Sequence, residues 1–427
     1  MQARNNPVMG SIGTGRATND WIADHFLTIV SYVMLFIVGV LVRWETLRTY
    51  LGHIDDPASL LAIRETAHQG YSLFPSGVLY LQGAVFSYLA APLAWFLDPD
   101  QLFTGARAVN LVASVLVIPL AMALIRVLTE NDILTWLVGA LIACDPNLIL
   151  WSVALRPYGI LAAEVMGIVL LMALLIRDGI DARAFGLRVT TWIPIVATLG
   201  TFTHIGFWLT MPGLVLTAIV MWRRDLLGTH RAVTRAFAIS LLPLIVFLLL
   251  GRFVGIGSGT GSSELGRSFV GSHLFSITKI ITQPHLQWDA WLENFTSGAA
   301  HDLIPQLIVG SGVALAIWSL HPSLSPLPAW KRRVVEMVLI VHWGTLFTVI
   351  GLMTSNVEAR YLNQIIGLGY VILAFALYML WEMVGPTVTQ RQIMRVGLVL
   401  LLVVAPVWHG WTAAMARMSE PGGSPDY

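Results

Sequence analysis

Gly52-His53-Ile54-Asp55-Asp56-Pro57 follows the first apolar run of the chain by about a dozen residues and opens a long loop of mixed polarity. An ionised side chain at a membrane boundary costs free energy unless water, a partner or a substrate compensates it. An adjacent carboxylate pair just past a first hydrophobic run is therefore a place to look for chemistry. Outward from the pair, apolar runs of about 18 to 20 residues recur along the chain, each enough to cross a hydrocarbon core of roughly 30 Å. Of 427 residues, 56% are hydrophobic and 11% charged, and the mean hydropathy is +0.74. Soluble domains carry roughly 25% charged residues, so the composition gives an all-α polytopic membrane protein with no soluble domain of ordinary size left over. A net charge of +1 argues against a nucleic-acid partner. The first run begins near Phe26, lacks a small-residue cleavage site and continues into Arg43-Trp44-Glu45, which reads as an uncleaved anchor helix. The single cysteine, Cys144, lies within an apolar run and allows no intramolecular disulfide.

Basic residues decide which loops face the cytoplasm. Arg126, then Arg177, Arg183 and Arg188, then Arg223, Arg224, Arg231 and Arg235, then Lys331, Arg332 and Arg333, then Arg391 and Arg395 form five patches. Placing all five inside requires an even number of crossings between neighbours. Spans at 132–151 and 158–176 satisfy this, as do two short spans broken near Thr203-His204-Ile205-Gly206, then 236–251 with 303–320, and 334–352 with 361–383. A last span, 393–411, leads outward. Charge parity leaves 78–97 as a juxtamembrane or re-entrant helix rather than a crossing. The expected architecture has about eleven transmembrane helices, a cytoplasmic N-terminus and two large external loops, 44–106 and 252–302. Residues 1–383 form the main module, and 384–427 a C-terminal helix with a short external tail.

With this topology the polar residues fall on the extracytoplasmic side: Asp55 and Asp56 in the first loop, Arg107 at its end, Arg156 and Tyr158 at the next turn, His204 at the one after, and Arg360 with Tyr361 later. Arginine binds phosphate bidentately and keeps its charge at any relevant pH. Carboxylates facing arginines at the outer leaflet suit a phosphate-bearing substrate with its tail in lipid. The acidic pair can serve as a general base toward an acceptor hydroxyl or amine, or hold a divalent metal such as Mg or Mn. Plainer roles stand beside these. Asp56 before Pro57 can cap a helix, Arg107 can anchor at an interface, Arg156-Pro157-Tyr158 and Arg360-Tyr361 can be charged helix starts, and His204 can be a packed histidine. The glycine-rich run at 255–263 reads as a hinge, since no Gly-Lys-Ser/Thr follows it.

The order of these motifs resembles the GT-C superfamily of membrane glycosyltransferases, in particular the protein O-mannosyltransferase and lipid A aminoarabinose transferase group. The resemblance is carried by Asp55-Asp56, by Gly70 and the Pro75-Ser76-Gly77 break, by Arg107-Ala108-Val109-Asn110-Leu111, by Ser152 to Gly159, and by Glu358-Ala359-Arg360-Tyr361-Leu362. It implies a polyprenyl-phosphate sugar as donor and a protein, glycan or glycolipid as acceptor. It further implies Asp55 as base, Asp56 beside it, and the carrier phosphate near Arg360 with Arg107 or Arg156 assisting. Two other readings use the same features: a transporter or flippase for lipid-linked sugars, with Glu164 as the acidic residue deepest in a span, and a non-catalytic membrane subunit.

Overall fold

The computed structural model describes residues 16–50, 52, 56–75, 80, 83–204, 206–223, 303–320, 327–352 and 362–384, together with 239, 242 and 246. Asp55, Arg360, Tyr361, the loop at 252–302 with its glycine-rich run, and the span at 393–411 lie outside the described residues, as does nearly all of 236–251.

Within them the chain is helical: α1 (Arg16–Thr49), α2 (Asp56–Gln69), α3 (Ala84–Ala90) running into a 3₁₀ turn (Ala91–Trp95), α4 (Pro99–Thr129), α5 (Asp132–Cys144), α6 (Pro146–Val153), α7 (Tyr158–Asp178), α8 (Val189–Thr203), α9 (Gly206–Arg223), α10 (Leu303–Leu320), α11 (Ala329–Leu352) and α12 (Asn363–Val384). A two-stranded antiparallel ribbon, Arg183–Ala184 with Leu187–Arg188, turns the chain from α7 into α8. Among the described residues α4, α7 and α12 are long and apolar enough to cross a membrane, and α5 with α6 make a fourth if the bent pair counts as one span. The protein is a multi-pass integral membrane protein. Its centre is α4, packed along α7, α1, α5 and α12, while α9 packs on α11.

Two breaks in the helices position everything that follows. The run at 132–151, expected as one span, bends by 51° at Asp145-Pro146. Proline cannot continue α5, because it lacks an N–H and its ring clashes with the preceding turn. Asp145 restarts the helix as a cap, its Oδ1 accepting the Leu148 N–H at 2.7 Å, while its Oδ2 takes the Tyr370 hydroxyl. The carbonyls stranded where α5 ends are met by Arg43. Its guanidinium donates to Ala143 O at 3.0 Å and Ile142 O at 3.2 Å, and to the hydroxyl of Ser114 at 3.3 Å. Arg43, to which the sequence reading gave no role beyond the anchor helix, is fully buried among helices.

The second break falls where the sequence puts it. α8 ends at Thr203, His204 is extended (φ −164°, ψ 150°), and α9 starts at Gly206. The 78–97 segment, expected not to cross the membrane, holds one short helix among its described residues. α3 with its 3₁₀ turn covers Ala84–Trp95, and twelve residues at about 1.5 Å each fall well short of a roughly 30 Å core.

Candidate functional site

The site begins with a turn. Gly52 sits at φ +105°, a conformation that favours glycine, and releases the chain from α1 toward Asp56, the first residue of α2. Asp56 is 1% exposed, and its Oδ1 accepts the N–H of Leu155 at 3.1 Å. The carboxylate thus ties α2 to the turn between α6 and α7, across 99 residues of sequence. A role confined to capping α2 does not describe it.

That turn is fixed from below by α4. Arg107 Nε donates to Val153 O at 2.5 Å and Nη1 reaches Tyr50 O at 3.5 Å. Its guanidinium lies 4.9 Å from the Tyr50 ring centre and 5.1 Å from that of Phe103, within cation–π range. The remaining nitrogen, Nη2, is buried with no partner among the described residues. Asn110, one turn on along the same face, is fully buried and makes the strongest clamp. Its Nδ2 donates to the carbonyls of Trp151 (2.9 Å), Ser152 (3.0 Å) and Ala154 (3.3 Å), and its Oδ1 accepts the Gly159 N–H at 2.8 Å. Gly159 is required here, because a Cβ would stand 2.5 Å from the Asn110 carbonyl oxygen.

Arg156, held at the top of this turn, donates to the Tyr80 hydroxyl at 3.1 Å, and Tyr80 in turn lies 3.1 Å from Ser59 Oγ on α2. Tyr158 opens α7 with its ring edge-on to both Trp151 (5.2 Å) and His204 (4.8 Å). His204 Nδ1 accepts the Gly206 N–H at 2.9 Å, which in the neutral ring leaves the proton on Nε2. Next to it, Thr203 donates to Glu164 Oε1 at 2.7 Å, and Gly206 O accepts from Gln364 at 3.2 Å.

Asp56, Arg107, Arg156, Tyr158 and His204 are therefore drawn to one end of the bundle, where α6 ends and α4, α7, α9 and α12 begin. Asn110, Tyr80 and Gln364 are the residues that sequence reasoning left without a role. Asn110 stood in a quoted motif, three residues after Arg107, and that spacing was the available signal. Among the described residues no group of three or more His, Cys, Asp or Glu is placed to hold a metal. One oxygen of Asp56 is committed to a backbone N–H, so a divalent ion would depend on Asp55 and water for most of its ligands.

No protein-family profile matches the sequence, and no curated protein matches it. Solved structures do. An oligosaccharyltransferase from Archaeoglobus fulgidus in the apo form superposes with a TM-score of 0.55 at 14% identity, over 95% of this chain and 57% of that one. The same enzyme tethered to an acceptor peptide containing the NVT sequon gives 0.55 at 13%, over 95% and 56%. ArnT from Cupriavidus metallidurans gives 0.49 at 15%, over 88% and 63%. The chain spans a little over half the length of the oligosaccharyltransferase it matches. The chain has a GT-C-like membrane fold.

Proposed function

We propose that the protein transfers a sugar from a polyprenyl-phosphate-linked donor to an acceptor on the extracytoplasmic side of the membrane. The observation that carries the reading is the meeting of Asp56, Arg107, Arg156 and Tyr158, drawn from three separate stretches of sequence, at one end of a bundle with the GT-C-like fold. In the proposed reaction Asp55 takes the proton of an acceptor hydroxyl or amine as that atom attacks the anomeric carbon. The bond from that carbon to the phosphate oxygen breaks on the opposite face with inversion, and its electron pair leaves with polyprenyl phosphate. Arg360 holds the departing phosphate, and Arg107, whose Nη2 has no partner among the described residues, and Arg156 support it. Asp56 acts as a positioning residue that keeps the acidic pair against the α6–α7 turn. The transition state is oxocarbenium-like, so a nearby carboxylate also lowers its energy electrostatically. A divalent ion on Asp55 and Asp56 is a second use of the pair, and no step above runs through it.

In this reading α3 and its 3₁₀ turn lie in the outer bilayer interface, in keeping with the exposed Leu89, Trp95 and Phe96. One observation favours the transport alternative: Glu164, inside α7, keeps an Oε2 that is buried and has no partner among the described residues. Wild-type protein in nanodiscs, given labelled polyprenyl-phosphate sugars and membrane extract as acceptor, separates the two. Enzymatic release of polyprenyl phosphate supports transfer. Movement of intact donor between leaflets without release overturns it.

A further inference from the structure

The first turn of α12 carries two amide side chains, Asn363 and Gln364, each only 1% exposed. Gln364 is anchored at the break between α8 and α9, its Nε2 donating to Gly206 O at 3.2 Å. A carbonyl can only accept, so this bond fixes the amide's orientation and leaves Oε1 at the other end. That Oε1 is buried without a partner among the described residues, and so are both Nδ2 and Oδ1 of Asn363. Burial of a polar atom with its hydrogen bond unmade costs about 1–3 kcal/mol. Three such atoms on consecutive residues at a helix start need an explanation.

Their position supplies one. Asn363, Gly367 and Tyr370 fall on one face of α12 by their spacing of four and then three residues. A Cβ on Gly367 would stand 2.8 Å from Met166 of α7 and 3.3 Å from Val117 of α4, and Tyr370 bonds to Asp145. Asn363 continues this face one turn toward the end of the bundle where Tyr158 opens α7. At that level a Cβ on Gly206 would meet Leu161 of α7 at 2.7 Å and Gln364 Oε1 at 3.6 Å. The amides therefore border the site already described.

Their chemistry narrows the ligand. Two of the three atoms, Asn363 Oδ1 and Gln364 Oε1, are acceptors. A phosphate also only accepts, so it would satisfy Nδ2 and leave both oxygens unmet. Hydroxyl groups donate as well as accept, and neighbouring hydroxyls on a sugar ring can meet all three. We infer that Asn363 and Gln364 recognise hydroxyls of the transferred sugar and determine which sugar is accepted. The inference rests on the glycosyl-transfer reading above.

The test uses the full chain in nanodiscs, with polyprenyl phosphates bearing mannose, glucose, N-acetylglucosamine or no sugar as probes. Wild type should bind at least one sugar-bearing probe tenfold or more tighter than the bare lipid phosphate. Asn363→Leu should cut that preference by roughly tenfold or more, leave bare-lipid affinity unchanged, and hold or raise the unfolding midpoint of the free protein, since no protein hydrogen bond is lost. Asn363→Ala serves as the smaller second variant and should cut the preference in the same way. A preference retained in both variants overturns the amide assignment alone. So does a midpoint lowered by several degrees with the preference intact, which would make the amides structural groups. A wild type with no preference anywhere in the panel overturns the glycosyl-transfer reading, and this inference with it.

Discussion

In the α6–α7 turn the carbonyls of Trp151, Ser152 and Ala154 and the N–H of Gly159 all bond to the one side chain of Asn110, and Leu155 N–H bonds to Asp56. At the first turn of α12, by contrast, three polar atoms of Asn363 and Gln364 are buried with no partner among the described residues. The two regions are brought to the same end of the bundle by α4 and α7. The first spends its hydrogen bonds internally and so fixes geometry. The second keeps them unspent, at a cost to the free protein, and so is suited to receive a ligand. A polar residue deep in a membrane bundle thus has two different meanings, and the state of its partners tells them apart.

The comparison predicts a graded set of stability effects. The largest belongs to Asn110→Leu, which strands four backbone groups; at about 1 kcal/mol for each, unfolding in detergent should show a loss of about 4 kcal/mol. A small change would mean that the turn is held by something else. Gly159→Ala should cost about 3 kcal/mol, because the new methyl group meets backbone rather than a yielding side chain. Tyr80→Phe removes the hydroxyl between Arg156 and Ser59 and should cost about 1 kcal/mol in the same measurement. At the far end of the scale, Asn363→Leu should cost nothing in the free protein. A loss there as large as that of Asn110→Leu would erase the contrast between the two regions.

How much of this the sequence carried depended on the range of the interaction. The break between α8 and α9 was legible, because Thr203-His204-Ile205-Gly206 interrupts an apolar run too long for one helix. The bend at Asp145-Pro146 was written just as locally, yet the apolar residues on both sides masked it. Contacts across long separations were not legible. Asp56 and Leu155 are 99 residues apart, and nothing in the composition of either segment names the other. Asn110 is a lone amide in an apolar helix, and its partners are carbonyls whose availability depends on where α6 stops. The role of Arg43 was illegible for the same reason, since the carbonyls it meets lack a helical partner only because α5 ends at Cys144. The ionisable residues expected on the outer face drew attention because such groups are rare in this chain and stand out by chemistry alone.

The central claim, that this end of the bundle performs glycosyl transfer with Asp55 as base, is tested most directly by measuring polyprenyl phosphate release and donor affinity side by side for wild type and Asp55→Asn. The account predicts that the amide variant binds donor within about twofold of wild type and loses turnover by about 10²–10⁴-fold, the usual contribution of a general base. Equal turnover in the two proteins would contradict it and remove Asp55 from the mechanism.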